Sequence, residues 1–155
     1  MRRWLALAAL LAALDQLSKF AIQRLLAAGG SLELAPFFNL VLVHNRGAAF
    51  SLLASAAGWQ RELFIAIALI ASAWIVYLLH KYPQQTLFCF ALSLILGGAI
   101  GNVIDRVLFG AVIDFLDFHL LGYHWPAFNI ADSAISCGAA LLVWDSLRPQ
   151  KPIQN

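Results

Sequence analysis

Two aspartates carry the residue types from which a hydrolase could be built: Asp114 in Val-Ile-Asp-Phe and Asp132 in Phe-Asn-Ile-Ala-Asp. They flank the start of the last of several long apolar runs, in a chain with only eight acidic residues. Charge close to hydrocarbon is costly, so an ionisable group kept there is a candidate functional group. Neither aspartate has a basic neighbour in sequence with which it could simply pair. Two carboxyls a few ångströms apart cannot both ionise readily, so one of them keeps a proton. The ionised member can take a proton from water while the protonated member donates to a carbonyl oxygen. This chemistry cleaves an amide without a metal or a covalent intermediate.

Rival chemistries fit the residues less well. Asp114, Asp117, His119 and His124 follow no zinc-ligand spacing. The chain has no Gly-x-Ser-x-Gly elbow, and Ser18 and Lys19 are adjacent, so they do not face each other on a helix. The other intramembrane polar groups read as helix glue. Asp15 follows eleven uncharged residues, so it lies about 16 Å along the first helix at 1.5 Å per residue, and it is four positions from Lys19, the spacing of a helical ion pair. Asp105 and Arg106 are expected to close the third helix and to pair with each other. Gly97, Gly98 and Gly101 precede Asp105 as small residues that permit close helix approach.

The elements that must position these groups follow from hydropathy. The chain of 155 residues is 62% hydrophobic and 12% charged, with mean hydropathy +0.80. A soluble domain of this size could not cover that much apolar surface. Continuous apolar runs predict four membrane helices, at about 4–26, 63–79, 86–104 and 128–147, in one integral membrane domain. Arg2-Arg3 and the apolar residues after them resemble a secretory signal, but no small-x-small cleavage site follows, so an uncleaved first helix is expected. The fold class is all-α, with a small extracytoplasmic β segment and a short amphipathic surface helix. The β segment is placed at residues 37–44, rich in β-formers and followed by the turn signal Asn45-Arg46-Gly47. The amphipathic piece belongs to the same segment, within 27–62. Residues 105–129 form the second outer segment, with no element assigned.

Four spans put both termini on one side. The double arginine and the basic link at His80-Lys81 place that side in the cytoplasm, although the overall charge bias is weak. Trp4 and Trp144 then mark the inner interface, and Trp59 and Trp125 the outer one. Cys89 and Cys137 read as small buried side chains rather than a disulfide.

At these same residues the chain resembles the bacterial lipoprotein signal peptidases, or signal peptidase II. Five segments carry the likeness in order: Asp15-Gln16 with Lys19; Asn39 to Ser51, including Asn45 and Gly47; Gly97 to Arg106; Val112-Ile113-Asp114-Phe115; and Phe128-Asn129-Ile130-Ala131-Asp132-Ser133. The resemblance implies a bacterial inner-membrane aspartic endopeptidase with Asp114 and Asp132 as its dyad and no cofactor. Its substrate would be a prolipoprotein, cut just before a cysteine that already carries diacylglycerol, with the site toward the periplasmic face. Asn45, Gly47, Asn102, Asp105, Arg106, Asn129 and Ala131 match positions that shape or support the site, with Asn45 and Asn129 binding peptide backbone or orienting the acids. A globomycin-type cyclic peptide would be an inhibitor. Two other classes compete: a small transporter using Asp15, Asp105 and Asp132 as a proton relay, and a non-catalytic scaffold. The absence of an inverted repeat counts against the transporter.

Overall fold

The computed structural model of the chain describes residues 1–27, 29–47 and 58–148. Four helices are long and apolar enough to cross a membrane: α1 (Arg2–Leu25), α2 (Gln60–Lys81), α3 (Thr86–Phe109) and α4 (Ile130–Leu147). Each keeps its backbone hydrogen bonds internal, as a hydrocarbon environment demands.

The helix α3 is the hub, packing against α1, α2 and α4. Its glycines explain how it does so. A methyl group at Gly97 would lie 2.7 Å from the Ala8 carbonyl oxygen of α1, and one at Gly98 would collide with the Ala131 carbonyl of α4. From the other side, a methyl at Gly138 of α4 would lie 2.7 Å from the Ala91 carbonyl of α3. Small residues at these crossings let the backbones approach, the usual source of helix association where lipid offers no hydrophobic driving force. On α1 the buried residues are Trp4, Ala8, Ala12, Asp15, Lys19 and Ile22, spaced three and four apart along one face. The face is apolar at both ends and polar in the middle. Trp4 and Ala8 join a cluster with Leu79, Leu92 and Leu96, whereas Ile22 packs with Leu26 and Phe115 under the sheet.

An antiparallel sheet caps this second cluster. Its strands are β1 (Leu32–Ala35), β2 (Phe38–Asn45), β3 (Val112–Leu120) and β4 (Tyr123–His124), in that spatial order. The β segment read from the sequence at 37–44 is β2. Its partner β3 occupies the stretch left without an element. The register sets Val43 opposite Asp114 and Asn45 opposite Val112. Phe128, expected to open the last helix, instead bridges to Leu116.

Two further expectations change. The third helix does not close at Asp105 and Arg106 but continues about one turn to Phe109, where Gly110 ends it in the left-handed conformation at φ 72°. Both cysteines are free, but only Cys89 is buried, and Cys137 is exposed. The short amphipathic surface helix is expected within 27–62, and residues 28 and 48–57 of that stretch lie outside the described residues.

Candidate active site

Residue Asp114 reaches the site from β3 and Asp132 from the first turn of α4. Both line one cleft of about 530 Å³, together with Asn45, Asn102, Arg106, the Trp125–Phe128 segment and the second turn of α4. Two carboxyls from different elements, a strand and a helix, therefore face a common space.

The connection between them is Asn129. It is the N-cap of α4, and its side-chain oxygen accepts from the Asp132 backbone N–H at 2.9 Å. Its amide nitrogen donates to Asp114 Oδ1 at 2.7 Å. One fully buried amide thus fixes the start of the helix and one acid at once. Asn45, at the end of β2, donates to the other oxygen, Asp114 Oδ2, at 3.1 Å. The oxygen of the Asn45 side chain accepts from the Gly47 N–H at 2.9 Å, which holds the amide in a local turn. Burial raises the Asp114 carboxyl, the charge of Asp132 adds to this, and the two amide donors and the more distant Lys19 oppose it; the net effect pushes its pKa up to about 6.

Residue Asp132 is held from the membrane side. Its Oδ1 accepts from the Asn102 amide at 2.8 Å, and the Asn102 oxygen accepts from Lys19 Nζ at 3.1 Å. Asp132 also sits at the N-terminus of α4, where the helix dipole favours negative charge.

Beneath the cleft lies an ionic hub. Lys19 Nζ meets Asp15 Oδ2 and Asp105 Oδ2, both at 2.7 Å, so that with Asn102 all three ammonium protons have acceptors. The three charged side chains are essentially inaccessible. Each carboxylate also satisfies backbone donors. Asp15 Oδ1 accepts from the Ala131 N–H, which caps α4 from another helix, and Asp105 Oδ2 accepts from the Ile113 N–H at the root of β3. Gln16 donates to Asp105 Oδ1 at 2.8 Å and to the Gly101 carbonyl at 3.1 Å. The hub thereby ties α1, α3, α4 and β3 together directly below the two acids.

The spacing-based Asp15–Lys19 pair forms. The expected Asp105–Arg106 pair is replaced, because neighbours on a helix project apart: Asp105 turns inward to Lys19, and Arg106 reaches the Gly47 carbonyl and lies over the Phe64 ring. Asp15, Gln16, Lys19, Asn45, Gly47, Asn102, Asp105, Arg106, Asp114, Asn129, Ala131 and Asp132 all lie in or next to this assembly. Those missed form the cleft wall, Pro126, Phe128 and Ile135, whose apolar types carry no chemical signal of their own. Also missed was Arg61, which donates to the Arg106 and Val107 carbonyls at the end of α3. Asp117, grouped above with possible metal ligands, bonds instead to Asn39 and His124. Among the described residues no group of three or more His, Cys, Asp or Glu is placed to hold a metal ion.

The family model described as Signal peptidase (SPase) II matches residues 7–148. A lipoprotein signal peptidase of Paraburkholderia phymatum is 61% identical over 145 residues, covering 94% of this chain and 87% of that protein. Another from Ralstonia nicotianae is 59% identical, covering 94% and 84%. A solved bacterial membrane enzyme, determined by the in meso method at 2.3 Å, superposes with a TM-score of 0.85 at 33% identity and covers 99% of this chain and 96% of that one. A second, at 1.9 Å, gives 0.83 at 34% identity, covering 97% and 96%. With four apolar helices, a match along nearly its whole length and relatives of this similarity, the chain belongs to the lipoprotein signal peptidase family, multi-pass membrane peptidases that remove signal peptides from prolipoproteins.

Proposed function

We propose that this chain is an aspartic endopeptidase that cuts diacylglyceryl-modified prolipoproteins immediately before the lipidated cysteine, with Asp114 and Asp132 as its catalytic residues. The observation that carries the reading is that both carboxyls line one cleft at the start of a membrane helix, bridged by Asn129. A lipid-anchored scissile bond can enter such a cleft without leaving the bilayer.

The surroundings favour a division of labour. Asp132, at a helix N-terminus and linked through Asn102 to Lys19, is the ionised partner and general base. Asp114, whose burial and proximity to the charge of Asp132 outweigh its two amide donors, holds the shared proton. Asp132 takes a proton from water as the water oxygen attacks the peptide carbonyl carbon, and Asp114 protonates the carbonyl oxygen to give a gem-diol. Collapse breaks the C–N bond. The proton on Asp132 passes to the departing cysteine nitrogen, and a gem-diol hydroxyl returns a proton to Asp114. Atoms and charge balance, and the pair is reset. Arg106 lines the same cleft, and its guanidinium, which already donates to the Gly47 carbonyl, has further N–H donors for the substrate backbone.

The enzyme would sit in the bacterial inner membrane with its termini in the cytoplasm, its cleft toward the periplasm, and membrane lipid around its helices. A globomycin-type cyclic peptide would compete for the cleft. The deciding test is cleavage of a diacylglyceryl-modified precursor by Asp114→Asn and Asp132→Asn enzymes. Each is expected to lose on the order of 10²–10⁴-fold in turnover, the usual contribution of general acid–base catalysis, with an unchanged unfolding profile in detergent. Near-normal turnover by either variant would remove the dyad from the mechanism, and equal cutting of the unlipidated precursor would remove the lipid from the specificity.

A further inference from the structure

The β3–β4 hairpin has two unlike faces. Cross-strand partners share a face, and side chains alternate along each strand. His119 pairs with His124, their rings stacked at 4.8 Å, and Asp117 bonds to His124 on the same polar side. The opposite face carries Phe118, Leu120, Tyr123 and Trp125, with Leu120 opposite Tyr123 and the Trp125 N–H bonded to the Phe118 carbonyl. This apolar face is open: Leu120 is 70% exposed, Tyr123 76% and Trp125 54%.

The turn is odder still. Leu121 and Gly122 form a two-residue loop, both with positive φ, at 51° and 81°. Such loops favour Asn-Gly, because a bulky side chain pays a steric cost in the left-handed region. Here a leucine takes that position and is 99% exposed. In water this choice loses on both counts, since it strains the turn and hydrates an isobutyl group. In lipid the second penalty becomes a gain.

Depth supports lipid as the medium. Trp125 lines the cleft with Ile135 and Ser136, which lie about 8 Å or more into α4 at 1.5 Å per residue. Trp125 thus walls the same cleft as the first two turns of α4, and β3 begins three residues after α3 ends, so the hairpin grows directly from the outer end of a membrane helix. We infer that the β3–β4 hairpin is a membrane-inserting anchor, which buries Leu120, Leu121, Tyr123 and Trp125 in the interfacial zone of the bilayer and keeps His124, on the opposite face, toward water. The partner is the lipid surface itself, and the insertion sets the depth of the cleft wall that the hairpin carries.

The test uses the full chain with Cys89→Ala and Cys137→Ala, reconstituted in phosphatidylethanolamine–phosphatidylglycerol vesicles. An environment-sensitive fluorophore is attached at Tyr123→Cys. Nitroxides on the upper acyl chain should quench it strongly, and aqueous iodide weakly. Adding Leu121→Asn should cut nitroxide quenching by about twofold as insertion weakens. The same change should leave thermal unfolding in detergent unchanged or raised, because asparagine suits the turn. Iodide quenching stronger than nitroxide quenching would overturn the inference, as would nitroxide quenching indifferent to Leu121→Asn. Shielding that vanishes on diluting the protein in lipid would also overturn it, by assigning the face to a second copy of the chain.

Discussion

At the scale of single residues, the two acids differ in what surrounds them, and that difference predicts a pH profile. Burial and the charge of Asp132 push the Asp114 pKa up to about 6. If it is the general acid, kcat/KM for the lipidated precursor falls as pH rises through that range, because the doubly ionised pair cannot protonate the carbonyl. The Asn45 donor to Asp114 Oδ2 favours the charged form, so Asn45→Ala should move this falling limb to higher pH while lowering the maximum rate. A pH series of initial rates reads both effects, and an unmoved limb would assign the titration to another group. Much of this residue-level picture was legible. An ionisable side chain in an apolar chain advertises its own importance, and Asp15, Lys19, Asp105, Asp114 and Asp132 all lie in one assembly. The pairing was less legible. Adjacency in sequence suggested Asp105 with Arg106, whereas the actual partner is Lys19, 86 positions away and recognisable only once α1 and α3 are packed.

At the scale of elements, the start of α4 shows how secondary structure and site share atoms. Asn129 both caps the helix and holds Asp114, and the two roles can be separated. Serine is as good an N-cap but has no amide to donate. Asn129→Ser should keep the cap and so be more stable than Asn129→Ala by about 1 kcal/mol, yet both should cleave poorly because neither donates to Asp114. Unfolding curves and rates measured on the same preparations distinguish them. The helices are legible because long, mostly apolar runs in so hydrophobic a chain admit few alternatives. The strand β3 was passed over although Val112 to Leu120 is rich in β-formers and sits between Gly110 and Gly122, the signal that bounds a strand. Its Asp114, Asp117 and His119 interrupt the β-former pattern with residue types that signal chemistry and not backbone. The end of α3 was misjudged for a related reason: Asp105 and Arg106 look like a membrane boundary only while their partners are unknown.

At the scale of the whole molecule, the polar hub organises an otherwise apolar bundle. Replacing Lys19 with Met would leave Asp15 and Asp105 buried without their cation. Breaking a buried pair from one side typically costs about 3–5 kcal/mol, so Lys19→Met should unfold far more easily in detergent and should lose activity as a consequence. Asp15→Asn added to Lys19→Met should recover part of that loss, and its failure to do so would argue against charge as the cause. The hub also settles how the protein answers to its surroundings. Lys19 is 1% exposed, and Asp15 and Asp105 are 0% exposed, so mobile counterions have no route to them. Even at about 1 M salt, where the Debye length shrinks to about 3 Å, these attractions operate almost unscreened. Surface charges on the same protein fade under such conditions, but the electrostatic floor of the site does not, and shifts in external salinity leave it untouched.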